Sequence, residues 1–398
     1  MGTGGIHEVN PELGDEVSKM LYQASLQTYD NRPGLLEDVG GSFSGFKGVP
    51  LWKLPTNEVY EVLGFDGVGT KVEIAERLED HMTIAFDLFA MVCDDAVVRG
   101  GESYTIGSVL DVSQLAYKIG EEDDTEANER VRKAITELSI GYIAAAQAAG
   151  VVVVNGETAE LGSRVAGFSA IRGLNYNWAA ASVSYVPRHG ALTGDQLKPG
   201  QVIVGFEEEG FRSNGMTDVR IAFDKKYGED WHNVVVPELG EKSLGQLVLH
   251  PSTIYSKIIT KITGGIDPNA ERLAEIFGVA HITGGGPVGK IGRMLRGTEL
   301  GAVIEDPIAP PAVMLHAQEA AGMSDEKAYT RWHMGSGMIA VTNEQGVDVI
   351  VETARQAGVL AKPIGHITTR GVLQIKNMGV NQTSQTSLLS YDLAAQAW

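Results

Sequence analysis

The chain has 398 residues, 43% of them hydrophobic and 21% charged, with a formal net charge of -19 and a single cysteine. That length favours two domains over one core. The acidity argues against the clustered Lys and Arg surface with which proteins displace counterions from nucleic acid, though it leaves room for a small anionic ligand held by backbone N–H groups and a few placed cations. Cys93 cannot pair within the chain, no Cys/His cluster has zinc-ligand spacing, and runs such as "AFDLFAMV" are too short to span a bilayer. The start, "MGTGGIHEVNPELGDE", lacks a basic and then apolar leader. The expectation is a cytoplasmic protein with no membrane or nucleic-acid partner.

In chain order, the first feature is "GGSFSGFKG" at residues 40–48, either a lid over phosphate or a flexible loop. "EVYEVLGF" alternates as a strand does and leads into "DGVGTK" at residues 66–71. Magnesium takes hard oxygen ligands and shares them with phosphates, which makes Asp66 a candidate ligand. Gly67, Gly69 and Thr70 would shape a phosphate cradle and Lys71 would supply a point charge. A plain glycine turn with a solvated acid and base explains the hexapeptide alone equally well. Helical spacing covers "DHMTIAFDLFAMVCDDAVVRG", where Asp94 and Asp95 cannot share one face: one can turn inward and the other must turn aside. Cys93 beside them reads as a small core residue. "TIGSVLDV" reads as a strand and "NERVRKAITELSIGYIAAAQAAG" as a helix. "VVVVNGETAE" reads as a buried strand delivering Glu157 to its carboxyl end, either as a third metal acid or in an ordinary strand-to-helix turn.

"NYNWAAASVSYV" is a further strand, and the Pro- and Gly-rich "PRHGALTGDQLKPGQ" marks the boundary between a domain at 1–186 and one at 187–398. Beyond it, "VIVGF", "AVIEDP" and "GMIAVT" read as strands, and "MTDVRIAFDKKYG", "TIYSKIITKIT", "GPVGKIGRMLRG" and "VDVIVETARQAGV" as helices. "GFRSNG" offers Arg212, Ser213 and Asn214 as phosphate donors. "HITGGG" places Thr283, Gly284, Gly285 and Gly286 before a helix, a natural anion cradle, with His281 either structural or an acid–base group. The tail from Asn377 shows no clear periodicity and reads as a partly ordered extension.

Taken together, "DGVGTK", "CDDAVVRGGE", "NGETAE", "RSNG", "HITGGG" and "HMGSGM" resemble, in order and at comparable spacing, the motifs of the phosphoribosylformylglycinamidine cyclo-ligase family, also called AIR synthetase. The resemblance runs from about Arg32 to Thr369. It implies a two-domain α+β fold, whose N-terminal sheet domain forms a homodimer interface and whose C-terminal domain is a layered α/β/α unit. It also implies ATP and Mg2+, a small phosphorylated substrate, and ring closure of formylglycinamidine ribonucleotide to aminoimidazole ribonucleotide through a phosphorylated formyl amide. By match, Asp66, Asp95 and Glu157 would hold magnesium, Lys71 would contact ATP phosphates, and Ser213, Asn214 and the Thr283 to Gly286 run would hold phosphate.

Several positions depart from the family pattern. Arg212 stands where His is usual, Asp94 where Asn is usual, and Asn155 where the turn has its first glycine. "GKIGR" replaces E-N-I-P-R after the glycine triplet. These departures bear on the acceptor, so a thiamin-monophosphate-kinase-like enzyme of the same superfamily, or a non-catalytic nucleotide-binding paralogue, stands as the alternative. Selenophosphate synthetase needs a reactive Cys near its glycine loop, and this chain has none there.

Overall fold

A computed structural model describes residues 11–32, 37–38, 52–53, 58–167, 172–267 and 269–393. The glycine-rich segment at residues 40–48 lies outside them. The first half contains α1 (Pro11–Leu26), β1 (Val59–Gly67), α2 (Val72–Leu78), α3 (Ile84–Val97), β2 (Glu102–Val112), α4 (Thr125–Ala149), β3 (Val152–Glu160) and β4 (Tyr176–Pro187). Its sheet has the order β1-β4-β2-β3, antiparallel except for the β2–β3 pair. Helix α3 is apolar nearly all round and is buried to match, with Ile84, Leu88, Phe89 and Cys93 fully enclosed. Helix α4 starts where the Asp124 carboxylate accepts the Ala127 N–H and stops at Gly150 in the left-handed region.

The two helices cover one face of the sheet. Their approach depends on Gly141, where a Cβ would sit 2.1 Å from the Met82 carbonyl oxygen. Gly141→Ala is therefore expected to destabilise the protein by about 1–3 kcal/mol despite alanine's better helix propensity, because backbone must move to admit the methyl. The urea midpoint of the variant reads this directly. The opposite face carries no helix among the described residues, and Leu63, Phe65 and Val109 stand exposed on it, Phe65 at 74%.

The second half contains β5 (Val202–Glu207), α5 (Met216–Tyr227), α6 (Leu244–Val248), α7 (Ser256–Thr263), β6 (Gly278–His281), α8 (Gly286–Leu295), β7 (Gly301–Ile304), α9 (Ala312–Ala321), α10 (Asp325–Arg331), β8 (Ser336–Thr342), α11 (Glu344–Gln356), β9 (Ala361–Thr368), β10 (Val372–Lys376) and β11 (Leu388–Asp392). These strands form one sheet in the order β6-β8-β5-β9-β7-β10-β11. Alternation along β5 shows the layering: Ile203 joins the cluster of Val288 and Ile291 on α8, while Val204 and Phe206 join that of Ile259 on α7 and Ile350 on α11. Helices thus cover both faces, giving an α/β/α arrangement.

Two expectations need correction. "NGETAE" is not a loop or turn, because β3 continues through Glu160 in register with β2. The tail is no loose extension either: β11 pairs with β10 along its whole length, burying Leu389 and Tyr391, and Asn377 is buried with its amide on Asp325 and the Thr386 carbonyl. Among the described residues no helix is long and apolar enough to cross a membrane. Helix α3 ties the halves together, since its Val97 belongs to the second half's core and its Asp94 accepts the N–H groups of Tyr255 and Ser256, at 2.9 and 2.7 Å.

Candidate functional site

Helix α3 separates its adjacent acids as helical geometry requires. Asp94 is fully buried, and Asp95 keeps its side chain 63% exposed. The buried one is paired: Arg212 Nη2 donates to Asp94 Oδ2 at 3.3 Å, and Arg212 Nη1 donates to Glu208 Oε2 at 2.6 Å. Burial opposes the guanidinium's charge, but Glu208 and Asp94 outweigh it and push Arg212 above its ordinary value. Arg212 is 2% exposed and faces these two acids, which corrects its assignment as a phosphate donor. Two carboxylates in the interior must be neutralised, and the guanidinium fork is what reaches both.

From Arg212 the network runs outward. Arg212 Nη2 lies 2.7 Å from His281 Nε2, and His281 Nδ1 lies 2.8 Å from Asp95 Oδ1. A guanidinium can only donate, so Nε2 accepts and the proton sits on Nδ1, where it donates to Asp95. Burial, followed by Arg212, lowers the His281 pKa to about 4, and the ring stays neutral at neutral pH. With its lone pair engaged, His281 is no acid–base catalyst. It orients Asp95. Burial pushes the Asp95 carboxyl up, but the His281 hydrogen bond prevails and holds it below the ordinary value.

Asp66 approaches this pair from β1. The register aligns it with Ala180 and Ser108, on the helix-covered side, and its Oδ1 accepts the Gly67 N–H at 2.7 Å. Surrounding protein displaces enough water to raise its pKa; Gly67 opposes the rise, Asp95 adds to it, and Lys290 opposes it. Two oxygen-ligand side chains with unlike environments thus sense each other's charge, and side chains of this kind suit a magnesium ion whose remaining ligands are phosphate oxygens and water.

Glu157 does not join them within the chain. It pairs with Val109, which in turn aligns with Ala179, so it stands on the bare face of the sheet and on the edge opposite Asp66. No group of three acids or histidines able to hold a metal occurs among the described residues. Within one chain the expected set Asp66, Asp95 and Glu157 is thus not brought together among the described residues, although Asp66 and Glu157 line one hollow of roughly 490 Å³ on the sheet.

Lys71 is also relocated. Its ammonium is fully buried and spends its three donors on Asp87 Oδ1 at 2.8 Å, the Phe211 carbonyl at 2.7 Å and the His250 carbonyl at 2.6 Å. It has none left for a phosphate and instead locks the "DGVGTK" turn to the second half. Asp87, which the sequence reading passed over, also accepts from Ser252 Oγ at 2.6 Å. Its spacing of seven from Asp94 puts both acids on one face of α3, a signal that was present in the sequence.

Gly69 and Thr70 are exposed beside Asp66, Gly69 with φ of 65°. Thr283, Gly284, Gly285 and Gly286 turn sharply into α8, with φ of 92° at Gly285 and 59° at Gly286, where a Cβ would lie 2.2 Å from the Tyr329 carbonyl oxygen. Asn214 packs against this turn, its Nδ2 3.5 Å from the Cβ position of Gly284. Ser213 Oγ and Asn214 Oδ1 are enclosed without a hydrogen-bond partner. Buried polar atoms without partners call for a ligand or water, and these two border the glycine turn into α8.

Comparison with known proteins gives one consistent result. Residues 52–171 match the model for the N-terminal domain of AIR synthase related proteins, and residues 198–376 match that for their C-terminal domain. The chain is similar to proteins named phosphoribosylformylglycinamidine cyclo-ligase. That of Bifidobacterium animalis subsp. lactis is 31% identical over 90% of this chain and 94% of its own, and that of Pyrococcus furiosus 27% identical over 94% and 97%. Among solved structures, E. coli HypE superposes with a TM-score of 0.56 at 13% identity, covering 96% of this chain and 98% of its own. T. maritima PurL complexed with FGAR gives 0.51 at 15%, covering 96% and 52%. These two show a shared fold.

Proposed function

Because the chain belongs to the AIR synthase related family in both of its halves, we propose that it catalyses the ATP-dependent cyclisation of formylglycinamidine ribonucleotide to aminoimidazole ribonucleotide, a step of purine biosynthesis. The observation that carries this reading is the chain Asp94–Arg212–His281–Asp95, which ends on an exposed acid, together with the partnerless Ser213 and Asn214 at the glycine turn before α8. In the reaction the formyl amide oxygen of the substrate takes the terminal phosphoryl group. The neighbouring amidine nitrogen then closes on the activated carbon, and phosphate leaves with ADP as the other product.

Such a transfer asks the protein mainly for positioning and charge stabilisation. Asp66 and Asp95 would hold magnesium, which when bound neutralises charge on the phosphates. His281 fixes the angle of Asp95 through its Nδ1–H, and Arg212 fixes the tautomer of His281. Backbone N–H groups of Gly69 and Thr70, together with Ser213, Asn214 and the turn from Thr283 to Gly286, would hold phosphate oxygens, since the Gly67 and Val68 N–H groups already donate to Asp66 and the Trp178 carbonyl.

The bare sheet face supports a homodimer. An apolar patch holding a side chain as exposed as Phe65 is what a second copy would cover. Asp66 and Gly156 occupy the same height on opposite free edges of the sheet. Closing two sheets about a two-fold axis along the strands would bring the Glu157 edge of one copy to the Asp66 edge of the other, so that Glu157 serves the neighbouring site.

Purified protein incubated with ATP, Mg2+ and formylglycinamidine ribonucleotide is expected to yield the aminoimidazole product. Phosphate release without that product would point to another acceptor. Sedimentation should show a dimer, and Phe65→Glu should shift it to monomer.

A further inference from the structure

Past the His281–Asp95 pair, a cleft of roughly 460 Å³ opens between the end of α3, strand β6, helix α8 and the connecting residues 192–194. That volume is within the range of small-molecule sites. Its wall carries Arg99, Lys290, Arg293 and Arg296, and the first three make no salt bridge or side-chain hydrogen bond with a described residue. In a chain with 51 Asp and Glu against 32 Lys and Arg, an unpaired cation has no shortage of acids to choose from, so three around one cleft need a cause. The one carboxylate lining the cleft among the described residues is Asp95, and His281 already engages it.

The sequence builds this cluster deliberately along one helix. Lys290 and Arg293 are three apart on α8 and so share a face, while Arg99 reaches in from the turn after α3. Lys290 belongs to "GKIGR", where the family pattern has a neutral Asn, so this chain adds a charge of its own. Burial, followed by Arg293, lowers the Lys290 pKa against the opposing pull of Asp95 and Asp66. Beside them Leu192, Phe277 and Met294 offer an apolar wall.

We propose that this cleft is a phosphate-monoester site, in which Arg99, Lys290 and Arg293 grip a dianionic phosphate whose organic body lies against Leu192, Phe277 and Met294. The cations lining the cleft outnumber its single carboxylate, Asp95, and a dianionic phosphate offsets that excess. The site deepens the cyclo-ligase reading and rests on it for the two sources of such a group: the ribonucleotide's own phosphate, or the tail of the nucleoside triphosphate.

The test is equilibrium binding, independent of turnover, by titration calorimetry of the full-length protein and its Lys290→Gln/Arg293→Gln variant. The probes are ribose 5-phosphate, ribose, and ADP with Mg2+. Weakening of ribose 5-phosphate by at least about tenfold, with ribose equal for both proteins and ADP unchanged, assigns the site to the ribonucleotide phosphate. Weakening of ADP alone assigns it to the triphosphate tail. Equal affinity of both proteins for both phosphorylated probes, or no binding of either to the wild type, overturns the site. A wild type that binds ribose 5-phosphate through these residues yet makes no aminoimidazole product would instead count against the cyclo-ligase reading and leave the site standing.

Discussion

Arg212→Met is expected to cost about 3–5 kcal/mol of stability, the range for removing one partner from a buried ion pair, and to lower the thermal midpoint by roughly 5 °C. Methionine fills much of the same volume, so the loss comes from charge: Asp94 and Glu208, both buried, are left without the guanidinium that neutralises them. Adding Asp94→Asn removes one stranded charge while keeping an acceptor for the Tyr255 and Ser256 N–H groups, and should recover part of the midpoint. The family pattern has Asn and His at these two positions, and the structure places the two departures in direct contact. They therefore read as one coupled exchange rather than two independent losses. The exchange also reaches the site, because His281 loses the donor that fixes its tautomer. Affinity for Mn2+ used as a magnesium surrogate should fall by about 10- to 100-fold in Arg212→Met. A variant with wild-type midpoint and wild-type metal affinity would show that the network does neither job.

Local pattern was enough for most of the elements that build the site. The apolar face of α3, the β-branched run before Asn155 and the glycine triplet before α8 each carry their periodicity within a dozen residues, so a window along the chain finds them. Even the divergence of Asp94 and Asp95 followed from helical geometry alone. What local pattern could not supply was the identity of each polar group's partner. Lys71 meets Phe211 and His250, and Arg212 meets Asp94, across more than a hundred positions of sequence. A lysine in a glycine-rich turn looks the same whether it faces phosphate or a buried aspartate. Burial decides between them, and burial belongs to the assembled halves. The tail was misread for a similar reason: "SLLSYD" alternates over only a few residues, too short a run to stand out until β10 is there to pair with it.

Asp66→Asn is expected to lower kcat by at least about 100-fold with the fold intact, in line with removal of one group that stabilises transferring charge. Solvent reaches Asp66, and the amide oxygen of Asn can still accept the Gly67 N–H, so stability should stay within about 0.5 kcal/mol of wild type. Glu157→Gln separates the two ways of building the site. In a site confined to one chain it would have little effect, since Glu157 occupies the other face and the far edge of the sheet. In a site completed by a second copy it should be nearly as damaging as Asp66→Asn. Mixing the two inactive variants then gives a sharper result. A mixed dimer carries one site with both acids intact and one with neither, so random exchange of subunits should restore about a quarter of wild-type specific activity. Full activity of Glu157→Gln alone would place the whole metal site within a single chain. Two inactive variants that do not complement after subunit exchange would mean that both acids act in the same copy, against the register that holds them apart.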